Sequence, residues 1–515
     1  MQREGGTPAG RRPEADGRDG RPAGAVGTST VDARPVDRPG VELGLGSFPP
    51  EAGEALEVMR RAGLDAYVVG GAVRDALLGH TAHDIDLTTP ASWEQTRDVF
   101  ASAGYPVIET GCKHGTVTVM TGAAHDVPVE VTTFRVDGAY SDGRHPDEVR
   151  FVSDIRQDLA RRDFTINAMA WSPSSGLIDV FGGRDDLASG VIRAVGDPVR
   201  RFEEDGLRVM RALRFASKLG FAIEPGTRAA VLSCRDELAR VSEERIGAEY
   251  DGLVAGVAAV DVLREYVDVI GCVIPEILPM VRFDQRSRWH VYDVWEHCLH
   301  TLAGLQPDAP QLVRHIALLH DIGKPKTFTV DEQGRGHFYG HERAGAIEAR
   351  AVFRRLRWRS LDIDHACTLI KYHDRHIEPS RRAITRMLAR LARSYSGADA
   401  IATDLFRELM MVKRADISAH APSTVDARLA QVDEVERAFE QVLADEAVFR
   451  VRDLDISGRD VIGCGAARGP QVGNVLRELL DRVIDGALPN EHGALVEAAR
   501  GLVDQGGDAS SRPLH

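Results

Sequence analysis

The run Val68-Val69-Gly70-Gly71-Ala72-Val73-Arg74-Asp75, continued after a short gap by His83-Asp84-Ile85-Asp86-Leu87, decides the fold. It reads as strand, glycine turn, helix, strand. Paired glycines let the backbone come close to a ligand. The helix start that follows offers unpaired N–H groups and a positive dipole end to a triphosphate, and Arg74 adds a charge-assisted clamp. Taken alone, Gly70-Gly71 is equally a tight turn. Asp84 and Asp86 change the balance. Two residues apart on a strand, they share one face while Ile85 and Leu87 turn to the core. Carboxylates that close repel, and a hard divalent cation relieves the repulsion. In Val127-Pro128-Val129-Glu130-Val131-Thr132 the valines alternate to one face and Glu130 takes the other. Asp84, Asp86 and Glu130 are therefore the expected catalytic set, with Asp84 and Asp86 holding Mg²⁺. Two such ions activate an attacking hydroxyl and stabilise a leaving pyrophosphate.

Outward from this run, apolar spacing predicts a helix over 50–63 and strands over 66–69, 85–87, 117–120, 127–136 and 178–180. Beyond about residue 195 the pattern is helical almost to the end. The fold class expected is an α/β head with a small mixed sheet, followed by a long all-α body. Five divisions follow. Residues 1–47, rich in Gly, Pro, Arg, Asp and Ala, form a disordered extension. Residues 48–195 form the head and 196–275 a helical neck. Residues 276–440 form a metal-binding helical domain, and 441–515 a helical tail set off by the glycines from Gly463 to Gly469.

The 515 residues carry a net charge of -14. An acidic chain does not bind nucleic acid through its overall field, so any RNA contact needs a local basic stripe. Six scattered cysteines without a CxxC pair argue for a reducing compartment and against a zinc ribbon. No apolar run reaches a membrane span and no signal-peptide core opens the chain. The expectation is a cytoplasmic protein without membrane contact; oligomeric state is not legible.

The run Gly70–Pro90, with Arg161–Ala170, Glu203–Phe221 and Glu244–Tyr250 in the same order, resembles the polymerase-beta-like superfamily, in its bacterial class II tRNA nucleotidyltransferase and poly(A) polymerase branch. The resemblance covers about residues 50 to 500. It implies nucleotide binding by Gly70, Gly71, Arg74, Arg162, Asp163 and Asn167, with Asp163 helping to tell ribose from deoxyribose. It also implies that the Gly-rich loop Asp137–Pro146 supports a switch from adding C to adding A, and that the tail grips the tRNA elbow.

Asp205 and Arg208 bear on base choice. Read at i and i+3 on a helix, they share a face. A carboxylate beside a guanidinium imitates a base-pairing edge: Asp205 accepts from the amino group of cytosine or adenine, and Arg208 donates to the ring nitrogen. A plain intrahelical ion pair is the alternative. Arg211 and Arg214 extend the arginine steps toward a triphosphate or an acceptor-stem phosphate. Arg245 and Glu249, at i and i+4, read as a salt bridge on their own helix. Gly206 stands where related chains often have proline.

A second constellation lies downstream. His320-Asp321 follows an apolar helix; His297 precedes it and Asp416 follows. Adjacent imidazole and carboxylate ligate one metal or bridge two. His341 and His373 could complete a two-metal set. The order resembles the HD phosphohydrolase superfamily, which implies a divalent transition metal or Mg²⁺ here. The arginines at 354, 355, 357 and 359, and those at 381, 382, 386, 390 and 393, either follow an RNA backbone or form solvated helix faces.

Three functions compete. The first is template-independent addition of C, C and A to the 3′ end of tRNA from CTP and ATP, releasing pyrophosphate. The second is poly(A) synthesis by the same head. The third is an HD phosphohydrolase acting on RNA 3′-phosphate or cyclic phosphate ends.

Overall fold

The computed structural model describes residues 42–82, 84–138, 149–287 and 290–509. Most of the N-terminal extension, His83 and the stretch 139–148 of the Gly-rich loop lie outside them.

Among the described residues the head's main sheet and the hairpin beside it comprise β1 (Tyr67–Val69), β2 (Ile85–Thr89), β3 (Val107–Gly111), β4 (Thr116–Thr121), β5 (Val127–Thr133), β6 (Arg135–Asp137), β7 (Val149–Phe151), β8 (Met169–Ser172) and β9 (Gly176–Asp179). Seven form one sheet in the order β3-β4-β5-β2-β1-β8-β9, while β6 and β7 pair separately. Only β2 and β5 run parallel; the other neighbours in the sheet are antiparallel. Period-2 alternation explains one face. Ile85, Leu87, Val117, Val119, Val129 and Val131 are buried in the same cluster as Ala55, Met59 and Phe100, which come from the helices Pro50–Arg61 and Trp93–Ser102. The opposite face carries Asp86 and Glu130.

The strand expected over 127–136 is two strands. Phe134 is buried and its N–H donates to Thr89 O at 2.7 Å, so the chain leaves the sheet there and β6 turns to β7. β3 and β8 escape the sequence pattern. β8 is buried along its whole length and so shows no alternation to read.

The neck and body are helical. The helix Pro198–Glu204 ends at Asp205, whose backbone is extended (φ -141°, ψ 103°), and the next helix starts at Leu207. Asp205 is thus the joint between two helices rather than a position inside one, which corrects the expected shared helix face. Its carboxylate accepts from Leu207 N–H at 3.1 Å. Gly206 has a local reason: a Cβ there would lie 2.6 Å from Glu237 O, so the turn Arg235–Arg240 can pack only against a residue without a side chain. Residues from Leu454 to Val503 form a separate hydrophobic core. Among the described residues no helix is long and apolar enough to cross a membrane.

Phe100 is fully buried, so Phe100→Ala should cost about 3–5 kcal/mol of stability. Urea unfolding of the variant measures this; a loss below about 1 kcal/mol would mean the core beneath the sheet collapses to fill the gap.

Candidate functional site

The site assembles from the sheet outward. Asp86 on β2 and Glu130 on β5 are direct partners in the parallel register, so their side chains leave the sheet on the same face as neighbours. Asp84 stands two residues ahead of Asp86. Burial raises the pKa of Asp86, and of the two nearby charges Arg162 lowers it while Asp84 raises it. Glu130 is raised by burial and then by Asp86 and Asp84. Asp86 and Glu130 thus both feel neighbouring carboxylates, and Arg162 offsets part of the charge at Asp86. Such an oxygen donor set with surplus negative charge suits a hard divalent cation.

Above it lies a cavity of about 540 Å³. Every residue read as nucleotide-binding lines it, together with Asp84 and Asp86; Glu130 stands on the sheet beside it, outside the wall. Gly70 has φ +69°, and a Cβ there would meet Arg162 Nη1 at 3.0 Å. The glycine therefore permits both the turn and the approach of the guanidinium.

The floor is a buried polar chain. Arg74 Nη1 donates to Asn167 Oδ1 at 2.7 Å, Asn167 Nδ2 donates to Asp163 Oδ1 at 3.1 Å, and Arg211 Nε donates to Asp163 Oδ2 at 2.8 Å. Phe164 N–H also donates to Asp163 Oδ1, at 2.7 Å. Burial disfavours the Asp163 anion, but Arg211 and the hydrogen bonds from Asn167, Arg211 and Phe164 more than offset it and hold the carboxyl down at about 2. Both oxygens of Asp163 are thereby engaged within the protein. Arg211 continues to Glu249 at 3.5 Å, and Glu249 also accepts from Arg214. The guanidinium of Arg214 stacks 4.1 Å from the Phe215 ring centroid.

This arrangement corrects the expected Arg245–Glu249 bridge. Glu249 reaches back to Arg211 and Arg214, while Arg245 donates to Asp205 Oδ2 at 3.0 Å. Both side chains cross to a neighbouring element. Asp205 and Arg208 likewise form no ion pair with each other among the described residues. Arg208 donates to Arg161 O and Arg201 O, each at 3.0 Å, and to Glu204 at 2.9 Å. The two are held separately at the same cavity. Asp158, unremarked in the sequence, is a fully buried carboxylate 2.8 Å from Arg161 and 3.4 Å from Arg162. Burial works against its ionisation, and those two arginines lower its pKa nonetheless.

The second constellation closes into a separate cavity of about 760 Å³. His297 Nε2 lies 2.9 Å from Asp416 and 3.5 Å from Asp321; His320 Nε2 lies 3.3 Å from Asp321 and 3.7 Å from Asp416. His341 and His373 reach the other Asp321 oxygen at 3.5 and 3.6 Å. Three of these imidazoles share one device. The Nδ1–H groups of His320, His341 and His373 donate to Ala317 O, Phe338 O and Ile370 O at 2.8, 2.9 and 2.7 Å. A carbonyl can only accept, so Nδ1 carries the proton, and in the neutral ring each Nε2 is left with its lone pair turned inward, as in a metal-ligating histidine. His320 Nε2 has no hydrogen-bond partner, and the Nε2 atoms of His341 and His373 face each other at 3.4 Å. Burial opposes charge on His320, yet Asp321 raises its pKa well above the ordinary value. The cavity draws in positive charge, and its donors fit a cation. Lys324, 2.6 Å from Asp321 and 2.8 Å from Gln285, supplies part of it. His290 and His420, missed in the sequence, line the same cavity and pack against His297, edge-on at 5.0 Å and tilted at 5.2 Å between ring centroids. Neither belongs to the His-Asp pattern that marks the others.

Comparison with known proteins bears on both sites. The model of the poly A polymerase head domain matches residues 66–193, and the HD domain model matches 290–416. The chain is 30% identical to the CCA-adding enzyme of Lacticaseibacillus paracasei over 445 residues, covering 86% of this chain and 94% of that protein. It is 45% identical to the CCA-adding enzyme of Leuconostoc mesenteroides over 206 residues, covering 40% of this chain and about half (50%) of the relative. Among solved structures, the Bacillus stearothermophilus CCA-adding enzyme in complex with CTP superimposes with a TM-score of 0.63 at 28% identity, over 90% of this chain and 98% of the other. A Thermotoga maritima CCA-adding enzyme complexed with tRNA shares the fold at a TM-score of 0.51 and 21% identity.

Asp163 yields a pH prediction. Its folded pKa, about 2, lies below the ordinary value of 3.8. Its contribution is therefore complete above pH about 4 and is lost as pH falls toward 2. Asp163→Asn should lower stability at pH 7 by roughly 2 kcal/mol and flatten the acid limb over that window. Urea midpoints taken from pH 7 to pH 2 decide it; parallel curves for both proteins would place the acid sensitivity elsewhere.

Proposed function

The chain belongs to the CCA-adding enzyme family, and from that premise we propose that it adds C, C and A to the 3′ end of tRNA, using CTP and ATP and releasing pyrophosphate. The observation that carries the reading is the register of Asp86 against Glu130 on adjacent parallel strands beneath a glycine turn. Asp84, Asp86 and Glu130 would hold Mg²⁺, which supplies Lewis-acid stabilisation of the attacking hydroxyl and the leaving pyrophosphate. The remaining steps belong to side chains. The helix start at Gly71 and the Arg74 and Arg162 guanidiniums receive the triphosphate. Asp163 acts through Arg211 and Asn167, holding the floor rigid. Asp205, oriented by Arg245, accepts from the exocyclic amine of cytosine or adenine. Arg208, fixed by two backbone carbonyls, donates to the base. Uracil and guanine present the reverse pattern. The acceptor stem and elbow of tRNA are the partners of the neck and tail, and the cytoplasm is the compartment.

A second reading concerns the His/Asp cavity, whose inward lone pairs support a divalent metal and hydrolysis of RNA 3′-phosphate or 2′,3′-cyclic phosphate ends. It would clean an end before addition begins. The head carboxylates weigh against a chain that is a phosphohydrolase alone, and the HD match distinguishes it from a simple poly(A) polymerase.

Three outcomes are expected. With CTP, ATP and tRNA lacking its last three nucleotides, labelled products should stop at the CCA length; long A tracts would favour poly(A) synthesis. Asp205→Ala should relax exclusion of UTP and GTP, by about tenfold or more for one lost base-edge contact; unchanged selectivity removes the templating role. His320→Ala/Asp321→Ala should abolish phosphate release from 3′-phosphorylated RNA and leave nucleotide addition intact. Persistence of that release would assign it to another group.

A further inference from the structure

The arginines around the helix Arg381–Ala392 divide into two sets. Most are neutralised. Arg381 pairs with Asp445 at 3.2 Å, Arg382 and Arg386 with Asp485 at 3.1 and 2.6 Å, and Arg393 with Asp481 at 3.1 Å. The upstream cluster behaves alike, with Arg355 on Glu276, Arg357 on Glu243 and Arg359 on Asp362. These side chains are braces, and the expected RNA-following stripe is largely spent on carboxylates.

Arg375 and Arg390 differ: among the described residues neither has a carboxylate partner, and both line a cavity of about 190 Å³. The one acidic side chain on its wall, Glu378, is taken by His376 at 2.8 Å. Arg390 is half-buried, and burial with crowding by Arg375, Arg386 and Arg393 pulls its pKa below the ordinary value. Two guanidiniums that no carboxylate pairs directly are poised for an anion, and their planar fork matches a phosphate in two-point contact. Arg375 also lines the larger His/Asp cavity, two residues beyond His373. One side chain therefore belongs to both cavities.

We propose that Arg375 and Arg390 form a phosphodiester subsite for single-stranded RNA whose 3′-terminal phosphate lies in the His/Asp cavity. The subsite holds the internucleotide phosphate that precedes the end. It rests on the reading of that cavity as a site for RNA 3′-phosphate ends. It gives these two arginines a counter-charge, and it selects an RNA strand over a free nucleotide, which has no phosphodiester to offer.

The test uses the full-length protein with CTP saturating the head, and measures binding rather than turnover. The probes are a ribotrinucleotide ending in a 3′-phosphate and a nucleoside 3′-monophosphate. Arg375→Gln/Arg390→Gln should weaken the trinucleotide about tenfold or more and reduce the steepness of its salt dependence by about 0.7 for the one phosphate no longer neutralised. Mononucleotide affinity should stay within about twofold, as no contact to it is removed. Arg375→Lys/Arg390→Lys should recover part of the loss, and addition of C from CTP should be unchanged in both variants. Unchanged trinucleotide binding overturns the proposal. So does an equal loss for the mononucleotide, or displacement of the trinucleotide by hexaglutamate as readily as by unlabelled RNA. If the trinucleotide binds as described but releases no phosphate, the hydrolytic reading fails and the subsite stands.

Discussion

Asp163 is a buried anion where the head meets the neck. An isolated carboxylate there would cost several kcal/mol, so the fold must deliver Arg211, Asn167 and a backbone N–H to it. Arg211 arrives on the helix Leu207–Leu219 and Asn167 from the turn before β8. The demand for charge balance therefore fixes the neck against the sheet. Through Asn167 it also fixes Arg74, and through Arg211 it involves Glu249 and Arg214. Remove the anion and three arginines of one wall lose a common reference.

The two cavities solve opposite electrostatic problems. In the head, oxygen donors on a sheet face crowd one another, and burial makes their charge harder to keep. In the helical body, backbone carbonyls fix the tautomers of three histidines so that nitrogen lone pairs converge. The first donor set suits a hard ion that keeps water; the second suits a metal that accepts nitrogen. Neither borrows residues from the other, so the two sites share no ligand.

Much of this was legible because it depends on local periodicity. The placement of Asp86 beside Glu130 follows from alternation in two strands, and the His-Asp pair advertises itself. What was not legible depends on tertiary partners. Arg245 and Glu249 have ideal helical spacing for each other, yet each found a stronger claim across the helix interface. Asp205 reads as helical until Gly206 is seen pressed against Glu237 O. β8 hides because both its faces are buried. Asp158, His290 and His420 sit outside any motif, and only folding brings the histidines to their cavity and Asp158 to its two arginines.

The pairing of Arg382, Arg386 and Arg393 with Asp485 and Asp481 has a wider meaning for the C-terminal segment. From Leu454 onward it keeps its own greasy interior, and exposed charge pairs are part of what fastens it to the rest. Parting those pairs wets groups that water already accepts. Their grip fades over a screening distance of about 8 Å at cellular ionic strength. Salt, or any polyanion, therefore competes with Asp481 and Asp485 for the same arginines.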